Sequence, residues 1–147
     1  MLRNIDPILS PDLLAILASM GHGDEIVIAD ANFPGDSCAQ RLVRLDGIDA
    51  VRTLRAVLSI MPLDSFVADR AVSMAVVDDP AAIPPVVAMF QQAIDEVADH
   101  PAPIQPIERF SFYDRSRAAY AIVQTGETRL YGNVILKKGV IFPPTAH

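Results

Sequence analysis

At Glu25–Ala29 the chain reads Glu-Ile-Val-Ile-Ala, a short β-branched run that is apolar at successive positions. A run that is apolar toward both faces is typical of a central strand buried in a parallel sheet. The segment before it starts with Ser10-Pro11, a typical helix N-cap and first helical residue. Leucine and isoleucine then recur at helical spacing until Gly21 ends the pattern. These two patterns predict a helix that leads directly into a central strand.

The rest of the chain alternates between helical and extended patterns. Helices are predicted at about Ile48–Ile60 and Pro85–Ala98, and the segment between them, Phe66–Val77, is predicted to be mostly strand. The last third predicts, in order, strand Ile104–Arg109, helix Phe112–Ala118, strand Tyr120–Gln124 and strand Val134–Val140. This alternation favours an α/β fold: one three-layer α/β/α domain over residues 1–147, with a mostly parallel, mixed central sheet.

Composition excludes several classes of function. The net charge of −6 at pH 7 argues against a nucleic-acid partner, which needs clustered Lys and Arg. No segment approaches the roughly 18 apolar residues that cross a bilayer, and no apolar signal stretch follows Met1, so no membrane partner is expected. The single cysteine, Cys38, cannot form an intrachain disulfide. A cytoplasmic protein is therefore expected, and its 51% hydrophobic content favours self-association.

His22 is the first candidate for chemistry. It lies between Gly21 and Gly23, in a predicted turn where the backbone can approach a ligand closely. Its position alone allows two interpretations, a solvated turn histidine or a functional one. Asp30 follows the strand, at the end where ligands of α/β sheets usually bind. Because the two residues lie at opposite ends of one strand, a site that contains both requires the chain to fold back or a second subunit to contribute.

Metal and nucleophile sites are not indicated. His100 and His147 lie in a predicted loop and in the tail, and no His or Cys pair has metal-ligand spacing. Cys38 and the neighbouring Ser37 lack the sequence context of a catalytic nucleophile. Neither a metal nor a cofactor is expected.

A second polar group lies in the C-terminal third. Tyr131-Gly132-Asn133 offers a phenol and an amide, the mixed donors and acceptors that sugar hydroxyls need, although such a triplet is also typical of a turn. Nearby in sequence, Arg109 adds a charged guanidinium, and Phe112 and Tyr113 add aromatic rings that could pack against a sugar. For Phe110 we favour packing in the core.

Four blocks of sequence, in order along nearly the whole chain, resemble a known family. They are Met20–Ile26 (MGHGDEI), Ala29–Pro34 (ADANFP), Glu108–Tyr113 (ERFSFY), and Thr125–Glu127 (TGE) with Tyr131–Val140 (YGNVILKKGV). Together they are similar to the fucose mutarotase and ribose pyranase family, and the third block resembles its fucose branch.

The resemblance implies roles for individual residues. His22 would be the proton donor, and Tyr113 a second acid/base or binding residue. The residues expected to bind the monosaccharide, with L-fucose as the first candidate, are Asp30, Arg109, Tyr131, Asn133 and, less directly, Asp64. The resemblance also implies a homo-oligomer, a pentamer-based decamer whose sites are completed across subunit boundaries.

Mutarotation suits these residues, because ring opening needs one proton delivered to the ring oxygen and one removed from the anomeric hydroxyl. Positioned acid and base groups contribute about 10²- to 10⁴-fold each, and a histidine can both give and accept a proton near neutral pH. The alternatives are ribose pyranase-type isomerisation of another aldose, non-catalytic sugar binding, and glycoside hydrolysis. The last needs two carboxylates flanking one bond, for which Asp30 and Asp64 are the available but unpersuasive pair.

Overall fold

The computed structural model describes residues 1–145, which form five helices and six strands. The helices are α1 (Pro11–Ser19), α2 (Gly35–Cys38), α3 (Ala50–Leu58), α4 (Pro85–Val97) and α5 (Arg109–Ala118). The strands are β1 (Glu25–Ala29), β2 (Leu42–Leu45), β3 (Ala71–Met74), β4 (Gln105–Ile107), β5 (Ala121–Thr125) and β6 (Val134–Lys137). His147 lies outside the described residues. Within them, no helix has the length and apolar character that a membrane crossing requires.

The strands form one mixed sheet in the order β2-β5-β1-β6-β3-β4. β1 pairs in parallel with β5, and β3 in parallel with β4, whereas β6 is antiparallel to both β1 and β3. We call the edge where the parallel strands end the carboxyl edge, and the edge where they begin the amino edge. Because β6 runs the other way, its first residues lie at the carboxyl edge and its last residues at the amino edge.

Helices cover both faces of this sheet. Along β1, Ile26 and Ile28 point into a core that includes Leu13 of α1, Leu54 of α3 and Phe90 of α4. The alternate side chains, Val27 and Ala29, point into a second core with Phe33, Cys38 of α2 and Phe112 of α5. The burial of β1 on both faces confirms it as the central strand, and the predicted three-layer α/β/α architecture is confirmed.

The predicted helices and strands are largely confirmed, with boundaries shifted by a few residues. The largest error concerns Phe66–Val77, of which only Ala71–Met74 is strand. The residues before it form turns, held by the Arg70 guanidinium, which donates to the carbonyl oxygens of Val67, His100 and Pro101. The short elements α2 and β2 were not predicted, because each has only four residues and too few positions for a recognisable period.

Helix α5 begins at Arg109, three residues earlier than predicted. Its N-cap is Glu108, whose carboxylate accepts hydrogen bonds from the backbone N–H groups of Phe110 and Ser111. The expectation that Phe110 packs in the core is wrong, since 63% of its surface is exposed. Phe112 takes that role and is fully buried, because side chains two residues apart on a helix point in nearly opposite directions, so that Phe112 faces the sheet and Phe110 faces solvent.

A partly buried ion pair ties α5 to the amino edge. The Arg115 guanidinium donates to both carboxylate oxygens of Glu25, at 2.6–3.1 Å, and to the Asp69 carboxylate at 3.1 Å. The pair is mostly shielded from water, with 20% of the Arg115 side chain and 15% of the Glu25 side chain exposed. The first residue of β1 therefore depends on Arg115 for its charge balance.

Replacing Arg115 by Met should lower the free energy of unfolding by about 1.5–3 kcal/mol, because the Glu25 carboxylate would remain largely shielded from water without a charged donor. Arg117→Met is the matched control on the same helix, since Arg117 pairs with Asp114 in solvent. The control should change stability by no more than about 0.5 kcal/mol. Urea unfolding followed by circular dichroism measures both, and equal losses would contradict the anchoring role.

Candidate active site

His22 lies at the amino edge, at the apex of the turn between α1 and β1. The Gly21 N–H donates to the Asp24 carboxylate at 2.8 Å, and the Gly23 N–H donates to the Lys138 carbonyl at 2.9 Å. Gly23 has φ +88°, a conformation that favours glycine. The turn is thus fixed at both ends, and it leaves the His22 side chain 48% exposed.

Asp64 is the partner of His22. The Asp64 N–H donates to the carbonyl of Lys137 at the end of β6, which brings its nearly buried carboxylate to 3.2 Å from His22 Nε2. Burial opposes ionisation of Asp64, but hydrogen bonds from the Phe66 N–H and from His22 outweigh it, so the pKa of Asp64 lies below its ordinary value. A carboxylate only accepts, so Nε2 carries the proton of this bond and Nδ1 is left to exchange a proton with a ligand.

Asp30 and Asn133 form a second buried pair, at the carboxyl edge. The Asp30 N–H donates to Asn133 Oδ1 at 2.7 Å, and Asn133 Nδ2 donates back to Asp30 Oδ2 at 3.1 Å. The second carboxylate oxygen accepts the Asn32 N–H at 3.0 Å. Burial raises the pKa of Asp30, and the hydrogen bonds from Asn32 and Asn133 only partly offset this effect. The antiparallel direction of β6 is what brings Asn133 to the end of β1.

The end of β5 supports this pair from the other side. Gln124 Nε2 donates to the Asp30 carbonyl, and Thr125 Oγ1 donates to the Ala29 carbonyl at 2.7 Å. Both side chains are almost completely buried. The sequence did not single out Gln124 as a positioning residue. The sequence feature that could have identified it is a polar glutamine directly after the apolar run Ala-Ile-Val of β5.

Tyr131 and Arg109 lie farther along the carboxyl edge. Tyr131 has φ +63°, and its phenol oxygen accepts the Val77 N–H at 3.1 Å, which leaves the phenol proton free to donate. Arg109 is exposed, with its guanidinium carbon 4.8 Å from the centre of the Phe110 ring. It lines a cavity of about 370 Å³ with Val76, Val77 and Glu108. That volume falls in the range of small-molecule sites.

Tyr113 joins the carboxyl-edge group through an aromatic contact. Its ring lies 5.6 Å from that of Phe33, centre to centre, and the Phe33 N–H donates to the Asp30 carbonyl. The side chain is half-buried on α5, between the helix and the loop that follows β1. This contact places Tyr113 in the carboxyl-edge group rather than beside His22.

The structure therefore assembles the predicted residues into two groups that do not meet within one chain. His22 precedes β1 and Asp30 follows it, and the four steps along β1 alone span about 13 Å. The expected separation of His22 and Asp30 is confirmed. For the same reason Asp30 and Asp64 cannot flank a single bond in one chain. In residues 1–145, no three His, Cys, Asp or Glu side chains converge as a metal site.

A mixed sheet with a histidine–aspartate pair at one edge and an aspartate–asparagine pair at the other defines an α/β protein with a divided polar site. The chain belongs to the RbsD / FucU transport protein family, whose model matches residues 3–141.

Three solved structures resemble the chain along almost its whole length. The fucose mutarotase of Streptococcus pneumoniae, in complex with L-fucose, is 48% identical, with 96% of this chain and 100% of that chain covered and a TM-score of 0.89. FucU of Bifidobacterium longum is 38% identical, with 95% and 100% covered and a TM-score of 0.89. RbsD of Bacillus subtilis, complexed with D-ribose, is 26% identical, with 97% and 100% covered and a TM-score of 0.74.

Gly139 sets the position of Asp64, and its substitution should disturb the His22 group. A Cβ at position 139 would lie 2.6 Å from the Leu63 carbonyl oxygen and 2.8 Å from the Asp64 Cα atom, so the backbone of these residues would have to move. Gly139→Ala should lower the free energy of unfolding by about 1–3 kcal/mol and shift the NMR signals of the His22 ring.

Gly47→Ala provides the matched control, because a Cβ at position 47 meets no atom within 4 Å. It should change stability by no more than about 0.5 kcal/mol and leave the His22 signals in place. Unchanged His22 signals in a folded Gly139→Ala variant would contradict the link between Gly139 and the site.

Proposed function

We propose that the protein is a sugar mutarotase that interconverts the α and β anomers of a monosaccharide, with L-fucose as the first substrate. The observation that carries the proposal is the His22–Asp64 pair, in which Nε2 is held by a carboxylate and half of the imidazole remains exposed. The 48% identity to a fucose mutarotase crystallised with L-fucose supports the choice of reaction and sugar. The likeness to RbsD complexed with D-ribose supports ribose pyranase-type isomerisation as the second candidate.

His22 performs proton transfer through Nδ1. The protonated imidazole gives a proton to the ring oxygen while the bond from that oxygen to the anomeric carbon breaks. A base removes the proton of the anomeric hydroxyl, and the electron pair forms the carbonyl of the open chain. After the carbonyl group turns over, closure reverses both transfers. Asp64 keeps the imidazole in one orientation and tautomer throughout, so it acts as a positioning residue.

The carboxyl-edge group binds the sugar and supplies the second transfer. The Asp30 carboxylate accepts hydrogen bonds from sugar hydroxyls, and the Asn133 amide and Tyr131 phenol donate them. The Arg109 guanidinium adds a positive charge beside the neighbouring cavity. Tyr113, which contacts the loop after Asp30 through Phe33, is the second acid/base or binding group.

A complete site then requires the amino edge of one copy to meet the carboxyl edge of another. Large apolar side chains are exposed at both edges, which supports such a contact. They are Leu2 and Ile141 near the His22 group, at 62% and 77% exposure, and Ile83 and Leu130 beside Tyr131, at 72% and 71%. Two different surfaces in contact form a head-to-tail interface. Such an interface generates a closed ring when the rotation that relates neighbouring copies brings the last copy back to the first. A pentamer-based decamer stays our prediction for the assembly.

Loss of His22 should remove most of the catalysis. In His22→Ala, the rate of anomer exchange on L-fucose, measured by saturation-transfer NMR, should fall by about 10²- to 10⁴-fold while the far-UV circular dichroism is unchanged. A panel of L-fucose, D-ribose and D-galactose identifies the preferred sugar. Binding of L-fucose without any acceleration of exchange by the wild-type protein would favour the alternative, a non-catalytic sugar-binding protein.

A mixing experiment tests whether the site spans two copies. Co-expression of His22→Ala with Asp30→Asn should restore activity at about one quarter of the sites, because a randomly mixed ring contains contacts where both contributing edges are intact. His22→Ala mixed with Asp64→Asn is the control, since both changes damage the amino edge and cannot complement each other. If the His22→Ala and Asp30→Asn mixture gains no more than this control, His22 and Asp30 do not form a site shared between two copies.

Asp64→Asn separates positioning from proton transfer. The variant keeps the shape of the side chain but replaces a charge-assisted hydrogen bond, so exchange should fall about ten- to a hundredfold, corresponding to about 1.4–2.7 kcal/mol. The loss should appear in kcat with little change in KM, because Asp64 reaches the sugar only through His22. A large rise in KM at unchanged kcat would instead make Asp64 a sugar contact.

A further inference from the structure

An aromatic surface extends outward from the His22 imidazole. The Phe66 ring lies 5.3 Å from the His22 ring and the Phe142 ring lies 6.0 Å from Phe66, centre to centre, with interplanar angles of 53° and 49°. Both phenylalanines are unusually accessible for their size, with 64% of Phe66 and 54% of Phe142 exposed. We call these two rings the aromatic wall.

The aromatic wall shares a hydrogen-bond acceptor with the His22–Asp64 pair. The Phe66 N–H donates to Asp64 Oδ1 at 3.1 Å, and this oxygen also contacts His22 Nε2, so Phe66 and His22 share one anchor. Phe142 lies one residue beyond the segment that matches the family model. The outer ring of the wall therefore lies just outside that matched segment.

The direction of approach to His22 places a sugar against this surface. Asp64 Oδ1 is bonded to Nε2, so the ring oxygen and anomeric hydroxyl of a sugar must approach the imidazole away from Nε2, and the Phe66 ring packs against this same imidazole. A phenylalanine ring offers no hydrogen bond. A hydroxyl group pressed against it loses its water without replacement, whereas a methyl group gains contact area.

We propose that Phe142, together with Phe66, packs against the methyl group of a 6-deoxy sugar and makes the protein selective for such sugars over their 6-hydroxy counterparts. This inference rests on the proposed mutarotase function. L-fucose and L-galactose provide the matched pair of substrates, because they differ by a single hydroxyl group on C6. Phe142 is thus a specificity residue at the substituent on C5 and takes no part in the proton transfers.

Two truncated chains isolate the ring of Phe142. A chain that ends at Ile141 lacks the ring, and a chain that ends at Phe142 keeps it and removes only the residues that follow. The ratio of kcat/KM for L-fucose to kcat/KM for L-galactose, from NMR anomer exchange, should fall about tenfold in the chain ending at Ile141. The loss should lie mainly in KM for L-fucose. The chain ending at Phe142 should retain the full-length ratio.

Saturation-transfer difference NMR on bound L-fucose provides a readout that does not depend on catalysis. With irradiation of the aromatic protons, the methyl protons of the sugar should receive the strongest saturation in the full-length protein and a clearly weaker one in the chain ending at Ile141. Absence of accelerated exchange on either sugar in the full-length protein refutes the mutarotase function, and this binding map still tests the wall.

Two results would overturn the inference. The first is an unchanged sugar ratio together with an unchanged saturation map in the chain ending at Ile141. The second is an equal loss on both sugars accompanied by a smaller oligomer in analytical ultracentrifugation, since that result assigns Phe142 to a contact between copies. Phe142→Leu, which keeps an apolar side chain, should recover part of the sugar preference.

Discussion

The antiparallel pairing of β6 with β1 positions both halves of the site. β6 begins at the carboxyl edge, where Asn133 exchanges two hydrogen bonds with Asp30. It ends at the amino edge, where the carbonyls of Lys137 and Lys138 accept the N–H groups of Asp64 and Gly23. The Lys138 ammonium also donates to the carbonyls of Leu17 and Met20 at the end of α1, where a cation is favourable. One central strand thus fixes the turn that carries His22, the partner of that histidine, and the partner of Asp30.

The two buried carboxylates at the ends of this strand have opposite electrostatic characters. Asp64 gains enough from its hydrogen bonds to Phe66 and His22 that its pKa is lowered despite burial, so it remains a charged acceptor for the imidazole. Burial dominates at Asp30, whose pKa is raised. A carboxylate that loses solvation in the folded protein recovers part of that loss when ligand hydroxyls donate to it, which suits Asp30 to binding rather than to holding a side chain in place.

The separation of these groups has a consequence for assembly. The proposed acid–base histidine and the proposed hydroxyl-binding group lie at opposite edges of one sheet, so they can act on the same small molecule only when two copies meet. Exposed apolar side chains lie beside both groups. The proposed head-to-tail contact would bury these side chains and complete the site at once. The aromatic wall would then line the cleft between copies, so that its outer ring, from the tail, is positioned to distinguish one sugar from another.

The local sequence was sufficient to predict α1, β1 and the placement of His22 and Asp30 around β1, because N-caps, glycine stops and apolar periodicity act over a few residues. It also supplied the three-layer architecture, since the alternation of helices and strands allows few others. It could not reveal that β6 is antiparallel, that Asp64 contacts a histidine 42 residues away, or that Gln124 supports Asp30. It placed Phe110 in the core, because the sequence does not show which face of α5 packs against the sheet. Strand direction and side-chain partners depend on how distant segments pack together, and only the tertiary structure decides them.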